Sequence, residues 1–306
     1  MPRPFRGKPQ APRPSRAARA DSAIQSFDSA LKPVYHPRNC CTAAYSAAHE
    51  LLREETGKMS KRTALVTGGI GGLGTEICKH LAKSGRTVVA CDLASREERV
   101  AEFKREINGY AGNVFFEPIN VGDFDGCAQA IKTVESKYGP IDILVNAAGI
   151  TRDTTLRKMT PQQWIDVLHV NLDGVFNMCR NVVEGMSERG FGRIVNISSV
   201  NGQTGQFGQT NYSAAKAGMH GFTMALAREV ARKGVTVNSV SPGYCRTAMV
   251  EAIAEPVRNQ IIAGIPVGRL GEPSEIARVV DFLAADESGF ITGANIPVNG
   301  GYFMDS

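Results

Sequence analysis

From residue 63 onward the chain alternates two hydrophobic periods. Short, β-branched apolar runs occur at 63–67, 87–91, 114–117, 141–146, 192–198, 235–240 and 295–298. Runs of this length without a polar face predict strands buried on both sides. Between them the apolar residues space as on helices, for example Ile77, Cys78, Leu81 and Ala82 within residues 75–83, and a long pattern from about 210 to 233. Strand-then-helix alternation of this kind predicts the α/β class: a single Rossmann-type doubly wound parallel sheet with helices on both faces. A ligand is then expected across the C-terminal strand ends. No internal repeat and no second domain interrupts the pattern.

The first 58 residues do not share it. They hold seven of the chain's 15 prolines, and ten lysines and arginines against five acidic residues, a net charge of +5. That equals the formal charge of the whole chain, so the basic balance belongs to this extension. Such a composition predicts disorder, above all in residues 1–20, with a short helix over about 42–55. Few aromatics and no amphipathic face argue against nucleic-acid or membrane binding. The chain thus divides into an extension, 1–58, and a catalytic domain, 59–306. Met59 lies just before the first strand, and Glu54 and Glu55 would be encoded by purine-rich codons shortly upstream. Residues 1–58 are accordingly expected to be translated upstream sequence, with a targeting peptide as the second reading. Seven cysteines, an odd number with no C-x-x-C pair, predict neither a disulfide framework nor a metal site, and point to a reducing cytoplasm. No stretch is long and apolar enough to span a membrane.

Candidate chemistry sits at the strand ends. Thr67-Gly-Gly-Ile-Gly-Gly-Leu-Gly74 lies between the first strand and the first helix. In that setting glycines allow close backbone approach, and helix N–H groups can cradle a pyrophosphate. A tight structural turn would look alike without it. Further on, Tyr212 and Lys216 stand four residues apart, on one helix face, with Ser199 thirteen positions upstream. A neighbouring ammonium favours phenolate, so Lys216 is expected to lower the phenol pKa from about 10 toward a value useful for proton transfer. On a surface helix the same pair would mean nothing; the glycine loop gives it weight. His80, His169 and His220 lack ligand spacing and read as structural, and Trp164 reads as packing.

With Asn146-Ala-Ala-Gly149, Asn171, Ser199, Tyr212-x-x-x-Lys216 and Pro242-Gly243 in this order, the sequence resembles the short-chain dehydrogenase/reductases from about residue 60 to the C-terminus. The segments Gly149–Asp153, Arg157–Met159, Ser198–Tyr212, Lys216–Ala225 and Ser241–Tyr244 look most like acetoacetyl-CoA reductases of polyhydroxybutyrate synthesis. Reductases of 3-oxoacyl-acyl-carrier-protein share most of these elements and remain the first alternative. A non-catalytic dinucleotide-binding scaffold is the second, disfavoured because Ser199, Asn171, Tyr212 and Lys216 are all present. The resemblance implies a homotetramer, and a Tyr212 proton donor supported by Lys216, Ser199 and Asn171. It also assigns Gly68, Gly71, Gly72, Leu73, Gly74, Asp92, Asn120, Val121, Asn146, Ala147, Ala148, Gly149, Pro242, Gly243 and Thr247 to the cofactor.

The dinucleotide type follows from charge. Asp92 ends the second strand, where its carboxylate suits ribose hydroxyls and opposes a 2′-phosphate. Gly71 occupies a loop position where phosphate-binding relatives carry a basic residue. Both favour NAD(H). NADP(H), which most acetoacetyl-CoA reductases use, stays open through Arg96 and Arg99, although these read first as a solvated helix start. For an acyl-CoA substrate the resemblance points to Asp153, Gln206, Phe207, Gln209 and Tyr244, with Arg152, Arg157, Lys158 and Arg246 as cationic candidates for its phosphates. Ala254 stands where those reductases carry a basic residue, which keeps a carrier-protein thioester in play.

Overall fold

The computed structural model describes residues 61–304. The expected disorder of 1–20 and the helix over 42–55 lie outside them. Seven strands form one parallel sheet in the order β3-β2-β1-β4-β5-β6-β7: β1 (Thr63–Thr67), β2 (Thr87–Asp92), β3 (Val114–Pro118), β4 (Ile141–Asn146), β5 (Gly192–Ile197), β6 (Val235–Pro242) and β7 (Asn295–Val298). The sheet is of the doubly wound, Rossmann type. Its order turns outward in both directions from β1 and β4, opening a crevice at their C-terminal ends.

Alternate side chains of each strand feed opposite faces. Ala64, Val66, Ile143 and Val145 pack with Ile77 and Leu81 of α1 (Gly72–Lys83), and with Phe103 of α2 (Glu97–Glu106). Leu65, Leu144 and Ile194 face the other way, against Ile131 of α3 (Phe124–Tyr138). Both faces are dry, which is why the strands read as continuous apolar runs rather than alternating ones.

Downstream of β4 come α4 (Pro161–Leu168), opened by a capping box between Thr160 and Gln163, and α5 (Gly174–Arg189). Met178 of α5 joins the second face. The residues between these helices, His169–Asp173, form a π-helical turn. After β5 follow the single turn α6 (Asn201–Thr204) and the long α7 (Thr210–Val230), whose Met219 also packs on the second face. Beyond β6 lie α8 (Ala248–Glu251), α9 (Glu255–Ala263) and α10 (Pro273–Leu283), the last completing the first face through Ile276 and Val280.

Strand limits differ from expectation by a residue or two. β5 ends at Ile197, so Ser198 and Ser199 lie just beyond it, while β6 continues to Pro242 because β7 supplies partners for Ser241 and Pro242. Trp164 packs only in part, with over a third of its surface exposed. No helix among the described residues is long and apolar enough to cross a membrane.

Candidate active site

The glycine turn between β1 and α1 is shaped by close approach. Gly68 has φ +61°, and a Cβ on it would meet the Ala147 carbonyl at 2.8 Å. A Cβ on Gly74 would fall 2.1 Å from the Gly68 carbonyl oxygen, so neither position accepts a side chain. Gly71 precedes the helix without a side-chain cap, and the first turn of α1 carries no acidic residue. The amides opening α1 therefore keep donors for an anion, reinforced by the helix dipole. Thr67 adds a brace: its Oγ1 accepts from Ala147 N (3.0 Å) and Ala148 N (3.1 Å), fixing the end of β4 against the turn. The methyl of Thr247 faces Gly72 from across the crevice. This cradle fits the pyrophosphate of a dinucleotide.

At the end of β2, Asp92 accepts from Leu93 N and pairs with Arg96 at 2.8 Å. Arg99 departs from the solvated role expected of it. Its Nε donates to the Ile70 carbonyl in the glycine turn and its Nη2 to Thr75 Oγ1 (3.1 Å), while Glu102 and Glu106 hold the guanidinium from the other side. It clamps the turn from α2. Asn120 and Val121 follow β3; Asn120 Oδ1 accepts from Gly122 N, and the Val121 carbonyl accepts from Asn177 of α5 (2.7 Å).

The catalytic candidates converge behind this cradle. Asn171 occupies the π-helical turn and is fully buried. Its Nδ2 donates to the carbonyls of Ile150 (2.9 Å) and Val167 (2.8 Å), and its Oδ1 accepts from Ile150 N (3.1 Å). The side chain thus bridges backbone, pinning the segment after Gly149. A Cβ on Gly149 would meet Asn171 Oδ1 at 2.5 Å and Lys216 Nζ at 3.7 Å, so this glycine lets the two come together. Lys216 is buried, with Nζ donating to the Ile197 carbonyl (2.7 Å) and lying 5.6 Å from the Tyr212 ring centroid. Gly202 of α6 packs directly on the Lys216 backbone.

The electrostatics differ from the expectation for this pair. Burial pushes the Tyr212 phenol up to about 12; the Ser199 hydroxyl partly offsets this and the charge of Asp153 adds to it. Lys216 is itself drawn down to about 8 by desolvation. The ammonium faces a strand carbonyl rather than the phenol oxygen, so in this arrangement loss of water outweighs the neighbouring cation. Burial thus keeps the Tyr212 phenol neutral.

Of the substrate candidates, Asp153 and Gln209 are brought together. Gln209 Nε2 donates to Asp153 Oδ2 (2.7 Å), and its Oε1 accepts from Asn201 Nδ2 (2.8 Å). Asn201 N donates to Ser199 Oγ (3.1 Å), so one chain of bonds runs from Ser199 to the mouth. Tyr244 packs edge-on against Tyr302, with ring centroids 5.6 Å apart. Gln206 and Phe207 project from the loop before α7, Phe207 with 88% of its surface exposed, and neither joins this chain. Arg157 and Lys158 are exposed on a 3-10 turn, whereas Arg152 is near Asp166 and Arg246 pairs with Glu272. Sequence reasoning missed Thr67 and Asn201. Thr67 directly precedes the glycine turn, which is a usable signal; nothing in the sequence marks Asn201.

Residues 62–258 match the short chain dehydrogenase family. The chain belongs to that family. Its members work with a nicotinamide cofactor, in keeping with the cradle. The chain is 60% identical to an acetoacetyl-CoA reductase of Allochromatium vinosum, over 79% of this chain and 99% of that protein. It is 54% identical to the acetoacetyl-CoA reductase of Cupriavidus necator, over 80% of this chain and all of that protein. A 3-oxoacyl-[acyl-carrier-protein] reductase of Haemophilus influenzae is 41% identical over a similar span. The chain is thus an oxidoreductase of the short-chain dehydrogenase type.

Proposed function

We propose that this enzyme reduces the 3-keto group of acetoacetyl-CoA to (R)-3-hydroxybutyryl-CoA for poly-3-hydroxybutyrate synthesis, acting in the cytoplasm. The observation that carries this reading is the gathering of Ser199, Tyr212 and Lys216 beside the glycine cradle, in a chain 60% identical to an acetoacetyl-CoA reductase across nearly all of that relative. When bound, the nicotinamide supplies a hydride to the carbonyl carbon. Tyr212 Oη gives its proton to the ketone oxygen, and a phenol kept neutral by burial holds that proton until the oxygen gains charge. Ser199 orients the ketone and stabilises its developing charge. Lys216 stabilises the phenolate left on Tyr212, and Asn171 fixes the loop beside it. Asp153, Gln209 and Tyr244 contact the acyl-thioester arm, with Gln206 and Phe207 at its outer end and Arg157 and Lys158 near its phosphates.

NADH is the preferred reductant in this reading. Asp92 places a carboxylate at the end of β2, Gly71 offers no cation, and Arg99 is committed to the glycine turn. The remaining assigned residues, Gly68, Gly72, Leu73, Gly74, Asn120, Val121, Asn146 to Gly149, Pro242, Gly243 and Thr247, surround the same crevice. The homotetramer belongs to the same reading and rests on the resemblance to these reductases.

Initial rates with acetoacetyl-CoA, comparing NADH with NADPH, test both parts. Fast turnover with NADH preferred is expected. NADPH preference would overturn the cofactor reading and assign Arg96 to the phosphate. Turnover confined to acyl-carrier-protein thioesters would replace the substrate.

A further inference from the structure

Tyr212, Lys216 and His220 stand at i, i+4 and i+8 of α7, one row along its face. The mechanism uses the first two. His220 is half-buried, and its Nε2 lies 3.3 Å from Ser241 Oγ, in fully buried β6. Ser241 Oγ donates to Asn295 Oδ1 (2.7 Å), and Ser239 Oγ donates to the same oxygen (2.9 Å). With its proton committed to Asn295, Ser241 is left as an acceptor, so His220 donates from Nε2. Among the described residues this is the one side-chain hydrogen bond that joins α7 to β6.

The residues next to Ser241 give that bond its reach. The Val240 carbonyl accepts from Ser198 N (2.7 Å) and the Pro242 carbonyl from Val200 N (2.9 Å), so β6 holds Ser199 from both sides. Gly243 N donates to the Val298 carbonyl (2.9 Å), and Tyr244 follows immediately. We infer that His220 is a positioning residue, setting the Ser199 segment and the Pro242–Tyr244 turn in register with the helix that carries Tyr212 and Lys216.

The inference rests on the ketoreductase reading of this cleft. A neutral donor suits the place: burial and the Lys216 charge both hold the imidazole below its ordinary pKa, so it adds no second cation beside Lys216. An aliphatic residue would leave Ser241 Oγ short of a donor, while a glutamine amide can supply one at similar reach.

The test compares H220L, H220Q, S241A and the double variant H220L/S241A with wild type. H220L is expected to raise KM for acetoacetyl-CoA about tenfold with a smaller fall in kcat, as loss of one partly buried hydrogen bond allows. NADH affinity, read by fluorescence, should change little, because the glycine turn is braced separately by Thr67 and Arg99. H220Q should recover most of the loss, and S241A should reproduce it without adding to H220L in the double variant. Hydrogen exchange of amides 243–246 should quicken in H220L and return in H220Q, whatever the substrate proves to be. Unchanged exchange, together with additive effects of H220L and S241A, overturns the role. Should H220L not fold, S241A and H220Q carry the same comparison. A wild-type enzyme inactive on acetoacetyl-CoA would sink the substrate reading alone, since exchange still decides the positioning role.

Discussion

The two ends of the sheet differ in whether a buried charge meets a carboxylate. At the N-terminal strand ends Asp142 of β4 is buried between Arg62 (3.7 Å) and Arg189 (3.6 Å), and Arg62 also pairs with Asp286 at 2.9 Å. Arg193 donates to the carbonyls of Ala285 and Asp286, and both Arg62 and Arg193 lie over the Phe191 ring. At the C-terminal ends Lys216 is equally buried but has a strand carbonyl for a partner and no carboxylate. Paired charges at the first end hold β1, β4 and the turn after α10 together, and Arg193 ties β5 to that turn through backbone carbonyls. An unpaired charge at the second end serves no such purpose, and costs stability for as long as it remains ionised. Stability and chemistry are separated along the strand direction.

The sharpest way to probe the second end is at Tyr212. Tyr212→Phe removes the proposed proton donor while keeping the ring, so kcat should fall by roughly 10³-fold or more. NADH affinity and thermal midpoint should stay near wild type. Turnover that survives in this variant would break the mechanism.

The glycine cradle gives the next effect. Gly74→Ala forces a Cβ to 2.1 Å from the Gly68 carbonyl oxygen, whereas Gly71→Ala meets the same oxygen at 3.2 Å, and Gly71 has φ −74°. Calorimetric titration with NADH should show binding lost or weakened more than about 100-fold in the first and within about threefold of wild type in the second, a difference of around 2 kcal/mol. Equal losses would mean that the cradle does not depend on this contact.

These two sites also mark what was legible beforehand. The strands, the glycine turn and the Tyr212–Lys216 row follow from local periodicity and spacing, which sequence carries directly. The pKa order did not follow, because it depends on how much water the folded cleft excludes and on Lys216 turning toward Ile197 rather than the phenol. The chain from Ser199 through Asn201 and Gln209 to Asp153, and the link from His220 to Ser241, join residues from different elements. Only the packed fold makes them neighbours. Arg99 was misread for the same reason: helix-start spacing says nothing of a glycine turn arriving from another strand.

Lys216 also predicts a pH dependence with a definite sign. Its folded pKa is about 8, below the ordinary lysine value, so the penalty for burying the ammonium is fully present below pH 8. Between pH 8 and about 10.5 the unfolded chain binds the proton and the folded one does not, and stability rises with pH. The depression corresponds to on the order of 3 kcal/mol. Urea unfolding at pH 7 and pH 10 should therefore show wild type gaining relative to Lys216→Met, which has no such group to titrate. A constant gap between the two proteins would show that the buried lysine is not desolvated as described.

The opposite end should respond in stability without chemistry. Asp142→Ala leaves Arg62 and Arg189 without their shared carboxylate. Each arginine keeps part of its surface in water, and Arg62 retains Asp286, so the cost should be about 2 kcal/mol rather than that of a fully stranded buried pair. Denaturant unfolding measures it. The kinetic parameters should stay within about twofold of wild type, because Asp142 enters β4 at the end away from Asn146 and Gly149. A clear fall in kcat in this variant would mean that the clamp sets the geometry of the cleft through β4, and that the division between the two ends is not as complete as their charge pairing implies.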